Sequence, residues 1–136
     1  MTIDSLAKSY LIKAQKRLKI LDVLFREEDY SDVVREAQEI VELALKGLLR
    51  YVGIEPPKWH DVSSVLIENK ALMPTVIIRN LTRITKISKR LRKERELAFY
   101  GDEDFIPTNE YDARDAKSAM KDAAFVVDKV SAVIKI

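Results

Sequence analysis

The segment from Tyr30 to Tyr51, YSDVVREAQEIVELALKGLLRY, limits the possible folds more than any other part of the chain. Its apolar residues recur every three or four positions, the period of an α-helix with a wide apolar face. They are Val33, Val34, Ala37, Ile40, Val41, Ala44, Leu45, Leu48, Leu49 and, just beyond the segment, Val52. A face this wide needs neighbours on more than one side, so the segment predicts the central helix of a helical protein.

The residues at both ends of this segment agree with a helix. Ser31 or Asp32 is suited to cap its first turn, because a short polar side chain can accept a hydrogen bond from a free backbone N–H group. Gly53 is suited to end the helix in the left-handed conformation, and the prolines at 56 and 57 prevent its continuation. We therefore expect a helix with these bounds.

Four further helices are predicted on either side of the central one. The first covers residues 3 to 27, and the short acidic connection after it predicts an antiparallel hairpin. A short helix, VSSVLIEN, follows Asp61 as its N-cap, and the fourth helix runs from about Thr75 to about Phe99. Thr108 or Asn109 is the expected cap of the last helix. The prediction is one all-α domain over residues 1–136, an up-and-down bundle of four long helices plus one short helix.

Composition excludes several classes of function. The chain has no cysteine and a single histidine, His60, so thiolate and multi-histidine metal sites are excluded and no cofactor is expected. No apolar run approaches the ~20 residues that span a bilayer, so we expect a cytoplasmic protein with no membrane contact. Abundant Lys, Glu and Ile beside few Asn and Gln are typical of a thermophilic source. A net charge of +2 implies no nucleic-acid partner unless the charge is locally concentrated.

The fourth helix holds such a concentration. Helical projection places five cations on one continuous face, here called the basic row: Arg79, Arg83, Lys86, Arg90 and Lys93. A row of this kind matches the charge that a phosphate backbone or a nucleotide requires. It is also what a solvated helix face looks like, and an acidic protein surface would serve as a partner equally well.

Arg95 stands apart from the basic row. It follows Ile77 by eighteen residues, about five helical turns, so it projects along the apolar face. It is either an end residue that reaches solvent or a guanidinium directed into a cleft. Tyr100, Gly101 and Asp102 follow at the helix end, where a cation, a phenol and a carboxylate could bind phosphate or simply cap the helix.

Four segments in this order resemble the HEPN domains, small α-helical proteins named for higher eukaryotes and prokaryotes nucleotide-binding. The segments are EAQEIVELALKGLLRYVGIEP, WHDVSSVL, LRKERELAFYGD and IPTNEYDARDAKSAMKDAAFVVDKV, and together they cover nearly the whole chain. The resemblance implies a homodimer, often encoded with a minimal nucleotidyltransferase in toxin and antitoxin pairs. Catalytically active members are metal-independent ribonucleases that use an arginine followed, four to six residues later, by a histidine.

Arg95 matches the arginine of this motif, with Arg92 as an outside possibility, but Tyr100 stands where a histidine is expected. A phenol with a pKa near 10 is poorly suited to proton transfer at neutral pH. We therefore expect a dimeric partner protein of a nucleotidyltransferase that binds nucleotide or RNA through the basic row and Asp102, without the usual ribonuclease activity. The alternatives are a ribonuclease in which Tyr100 or His60 replaces the missing histidine, and a scaffold whose basic row is inert.

Overall fold

The computed structural model describes residues 3–58 and 61–136, and this part of the chain forms seven α-helices and one 3-10 turn, Lys70–Leu72. The helices are α1 Ile3–Arg26, α2 Tyr30–Tyr51, α3 Val62–Glu68, α4 Thr75–Arg79, α5 Leu81–Phe99, α6 Pro107–Glu110 and α7 Ala113–Val133. The predicted all-α bundle is confirmed, with α1, α2, α5 and α7 as its long helices. None of the helices in these two ranges is long and apolar enough to cross a membrane.

Helix α2 is the centre of the bundle and packs against α1, α5 and α7. Every apolar residue of its predicted face from Val33 to Leu49 is at most 2% exposed. Gly47 lies where α1 crosses, and a Cβ atom there would stand 3.1 Å from the Cβ of Tyr10 and 3.2 Å from the Ala7 carbonyl oxygen. A face this wide could leave part of its surface for a second chain, but α1, α5 and α7 already cover it.

The connection between α1 and α2 is tighter than the sequence indicated. Glu28 adopts a left-handed conformation with φ of 58°, and the Asp29 N–H donates to the Leu24 carbonyl at 2.9 Å, which closes α1. Asp29 then occupies the N-cap position of α2, but its side chain accepts no capping hydrogen bond from a backbone N–H group. The prediction of Ser31 or Asp32 as the cap is wrong, because both residues already lie in the first turn.

The predicted fourth helix is interrupted at Asn80, which separates α4 from α5. Asn80 has φ of −113° and ψ of 10°, and its side-chain amide donates to the Val76 carbonyl at 2.7 Å. A short amide that reaches a nearby carbonyl competes with helical hydrogen bonding. Apolar periodicity could not reveal the break, because Ile77 before it and Ile84 after it are both fully buried.

The last helix begins later than predicted, so Thr108 and Asn109 are not its caps. Both lie in α6, which starts at Pro107. Asp112 caps α7 instead: its carboxylate accepts a hydrogen bond from the Asp115 N–H, and the Asp115 carboxylate accepts one from the Asp112 N–H, each at 3.0 Å. An aspartate at both positions therefore forms the capping box that more often ends in Glu or Gln.

Two of the predicted helix ends are confirmed. The Asp61 carboxylate accepts a hydrogen bond from the Ser63 N–H at 3.0 Å and caps α3. Gly53 has φ of 89°, and the Ile54 N–H donates to the Leu49 carbonyl at 2.8 Å, which closes α2. The caps at 53 and 61 thus fix the ends of the loop that carries Pro56 and Pro57.

Candidate nucleic-acid interface

Four of the five cations in the basic row line one open cleft between the α4–α5 junction and α7. This cleft, here called the basic cleft, has a volume of about 480 Å³. Its lining residues are Arg79, Asn80, Thr82, Arg83, Lys86, Ile87, Arg90 and Asp122. Sites for small ligands commonly measure about 300–1,000 Å³, so one nucleotide unit fits the basic cleft.

The cations of the basic cleft fall into two kinds. Helix α7 holds two of them: the Arg83 guanidinium carbon lies 3.7 Å from the centre of the Phe125 ring, and Arg90 forms an ion pair with Asp122. Arg79 and Lys86 are exposed and have no ion pair or ring contact within the described residues. These two side chains therefore carry positive charge that is free for a ligand, whereas Arg83 and Arg90 are already positioned by the fold.

Lys93 does not reach the basic cleft. It lines a second cleft with Asp61, Lys89 and Arg92, on the side of α5 that faces α3. Arg92, the alternative to Arg95 as the motif arginine, lies 3.4 Å from the Glu42 carboxylate of α2 and forms an ion pair with it. Trp59 and His60 lie outside the described residues.

Arg95 is partly buried on the face of α5 that also carries the buried Leu91 and Ala98. It forms no ion pair with any residue in the described ranges. Tyr100, by contrast, is 78% exposed, and its ring packs edge-to-face on Phe99 with 4.8 Å between the ring centres. Tyr100 is five positions after Arg95 and lies just beyond Phe99, the last residue of α5. Arg95 is thus partly buried on the helix, whereas the phenol of Tyr100 is largely in solvent at the helix end.

Asp102 takes part in the turn that follows α5. Its side chain accepts a hydrogen bond from the Asp104 N–H at 2.9 Å, and its backbone forms a bridge with Phe105. Gly101 precedes it with φ of 68°, and a Cβ atom there would lie only 2.3 Å from the Phe105 carbonyl oxygen. The segment from 101 to 105 is thus held by its own backbone, and the Asp102 carboxylate orders this turn.

An acidic region lies beside the basic cleft, on the other side of Arg90. Burial raises the pKa of the Glu94 carboxyl, the Arg90 charge opposes this change, and the Asp115 charge adds to it. Burial, together with the charges of Glu94 and Asp115, also raises the pKa of Tyr111 to about 12. Arg90 thus lines both the basic cleft and a separate cleft that contains Glu94 and Asp115, and it forms its ion pair with Asp122 in the basic cleft.

Sequence reasoning missed the two α7 residues that shape the basic cleft. Asp122 and Phe125 are three positions apart and therefore share a face of α7. They border the alanine and valine face of the helix, where the pattern alone gives no sign of a contact with α5. Only the packing of α7 beside α5 brings these side chains to Arg90 and Arg83.

Comparison with known proteins decides the family. A family model described as the HEPN domain matches residues 7–133, which is most of the chain. The chain belongs to the HEPN family. The resemblance of the four sequence segments is thereby confirmed, and the all-α fold of this HEPN protein agrees with it.

A curated relative of this HEPN protein comes from Methanocaldococcus jannaschii and bears the name "Putative toxin MJ1304". The two sequences are 27% identical over 135 residues, which is 95% of this chain and 88% of the relative. No solved structure matches the chain. The comparisons thus relate this HEPN protein over nearly its full length to a protein named as a toxin.

Proposed function

We propose that this HEPN protein is the toxin-like half of a cytoplasmic pair with a minimal nucleotidyltransferase, and that it binds RNA or a nucleotide in the basic cleft. The observation that carries the proposal is the pair of exposed cations, Arg79 and Lys86, at the edge of a cleft of nucleotide size. Each can neutralise one phosphate, and Arg83 adds a fixed positive charge, whereas the charge of Arg90 is paired with Asp122. The name of the M. jannaschii relative supports the toxin-like assignment.

The proposal is for binding without the ribonuclease chemistry of active HEPN proteins. Tyr100 replaces the histidine of the motif and is largely exposed at the end of α5. A phenol lacks the imidazole group that takes up and releases a proton near neutral pH. Arg95 and Asp102 are therefore assigned to ligand binding or to the structure of the helix end, and no proton transfer is assigned to Tyr100.

We also propose a homodimer. Because the apolar face of α2 is covered within the chain, the contact must use another surface. Phe99, Tyr100 and Ile106 lie exposed near the end of α5, with exposed fractions of 50%, 78% and 45%. Light scattering should return twice the 15.6 kDa of one chain at micromolar concentration, whereas a single-chain mass would exclude the dimer.

The test of binding compares two charge-reversed proteins with wild type. One carries Arg79→Glu and Lys86→Glu in the basic cleft, and its matched control carries Lys16→Glu and Lys19→Glu on the exposed face of α1. All four positions are exposed, so both variants should keep wild-type stability within ~0.5 kcal/mol per site. Fluorescence anisotropy with single-stranded RNA then measures affinity over a series of salt concentrations.

Wild type should bind RNA at low salt and lose affinity steeply as salt rises, because each neutralised phosphate releases counterions. The cleft variant should bind far more weakly, with a logarithmic salt slope smaller by about 1.4 units, about 0.7 for each of the two lost contacts with a single strand. The α1 control should keep the wild-type slope. Undetectable binding by wild type, or equal weakening in both variants, would leave the basic row as a solvated face and favour an inert scaffold.

A further inference from the structure

Asp122 is the one carboxylate among the described side chains that line the basic cleft. Its side chain is only 13% exposed, and Oδ2 accepts a hydrogen bond from the Arg90 guanidinium. A carboxylate oxygen has two acceptor sites, so the group offers more acceptors than one guanidinium N–H uses. Oδ1 has no hydrogen-bond partner within the described ranges, although it belongs to a residue that lines the cleft.

A carboxylate is an unexpected component of a phosphate site, because it repels the ligand. Here Arg90 offsets that charge, so the net cost to an incoming phosphate is small. The cations of the cleft only donate hydrogen bonds, and Asn80 already uses its side-chain NH₂ group on the Val76 carbonyl. Asp122 is therefore the strongest acceptor in the cleft and suits a ligand that presents a donor close to its phosphate.

The ribose 2′-hydroxyl is such a donor, and it is the group that distinguishes RNA from DNA. We propose that Asp122 is a specificity-determining residue that accepts a hydrogen bond from the 2′-hydroxyl of a ribonucleotide whose phosphate is held by Arg79 or Lys86. The inference rests on the proposed binding function and names the residue that would select the ribose of an RNA strand or a ribonucleotide. The same chemistry occurs in an RNA strand and in a free ribonucleotide.

The experiment measures the ratio of affinities for RNA and DNA. Single strands of about 12 nucleotides with one base sequence are prepared as RNA, as DNA and as 2′-fluoro RNA, which lacks the hydroxyl donor. Wild type should bind RNA about tenfold more tightly than the other two strands, the effect expected from one hydrogen bond to a charged acceptor. Competition by uridine monophosphate and by its 2′-deoxy form shows whether a single ribonucleotide is sufficient or a strand is needed.

Asp122→Ala should reduce the ratio to near one, and it should strengthen DNA binding slightly because a negative charge leaves the cleft. The matched control is Asp128→Ala on the same helix, which removes the same charge from an exposed carboxylate that, within the described part of the chain, pairs only with Lys129. This control should keep the wild-type ratio. Asp122→Asn, which preserves shape, replaces the alanine variant if that protein does not fold, and it should give an intermediate ratio.

The outcomes separate the role of Asp122 from the binding function itself. Equal affinity of wild type for RNA and DNA would overturn the role of Asp122 while leaving the basic cleft as a binding site. A ratio that persists in both Asp122 variants would overturn it as well, since another group would then read the sugar. Failure of wild type to bind any strand at low salt would instead refute the proposed function.

Discussion

Helices α2 and α5 are adjacent in the bundle, yet they have opposite roles. Nearly all the apolar residues of α2 are buried on three sides, against α1, α5 and α7. Helix α5 buries only a narrow face, which includes Ile84, Ile87 and Leu91, and turns its cations toward two clefts. We therefore expect α2 to contribute most to stability, and the proposed ligand binding involves α5, so substitutions in the two helices should have separable effects.

The largest effect should come from a charge placed in the middle of α2. Ala44 is fully buried, and Ala44→Asp would put a carboxylate into the apolar core. Such a group costs several kcal/mol, against a total stability of ~5–15 kcal/mol for a domain of this kind. We expect the variant to be largely unfolded at room temperature by circular dichroism.

The matched control for that prediction is Ala124→Asp, on the exposed face of α7. It introduces the same carboxylate into a long helix but leaves it in water, so stability should change by only ~0.5 kcal/mol. Similar melting temperatures for the two variants would mean that α2 is not the core of the protein and would remove the contrast with α5.

A smaller effect should appear where each of the two helices ends at a glycine. Gly53 has φ of 89°, and a Cβ atom added there would have no neighbour within 4 Å, so Gly53→Ala should cost about 1 kcal/mol from backbone conformation alone. At Gly101 the added methyl group would also meet the Phe105 carbonyl oxygen, which is backbone and cannot move aside cheaply. Gly101→Ala should therefore cost at least about 2 kcal/mol.

Urea denaturation of the two alanine variants measures this difference directly. The result would sharpen the comparison of the helices, because the end of α5 should tolerate an added side chain less well than the end of α2. Equal losses in the two variants would show that the turn from 101 to 105 can relax, and that its close backbone contact adds no constraint.

The bounds of α2 could be predicted from the sequence because several independent signals agree there. Periodicity, the glycine at 53 and the following prolines all mark the same helix, and its bounds are those observed. The fourth helix was predicted less well, because one side-chain hydrogen bond at Asn80 ends α4 without disturbing the apolar pattern. The caps near residues 31 and 108 were misplaced for a related reason, since several adjacent polar residues were equally suitable and tertiary packing selected among them.

The candidate site was predictable only in part. Helical projection identified the row that includes Arg79, Arg83 and Lys86, because these residues belong to consecutive turns. It could not identify Asp122, which lines the cleft, or Phe125, which contacts Arg83, because both lie on a helix more than thirty positions later in the chain. It also predicted that Lys93 belongs to the same row, whereas Lys93 lines the second cleft, on the side of α5 that faces α3.

The smallest predicted effect concerns Asp32, whose carboxyl group is partly buried in the first turn of α2. Burial raises the pKa of Asp32 to about 6, and the hydrogen bond and charge of Asp29 add to the change. An unfolded aspartate titrates near 4, so the folded protein binds an extra proton between pH 4 and 6. The contribution of Asp32 to stability is therefore fully present below pH 4 and is lost as the pH rises through 6.

Asp32→Asn should raise the melting temperature at pH 7.5. The gain in stability should be below about 1 kcal/mol because solvent screens the charge, and it should be smaller at pH 5. The control Asp22→Asn lies on the exposed face of α1, where a surface substitution should change the melting temperature little at either pH. A gain that is equal at both pH values would mean that the charge of Asp32 is not the cause, and a loss at pH 7.5 would mean that the helix dipole outweighs burial at this site.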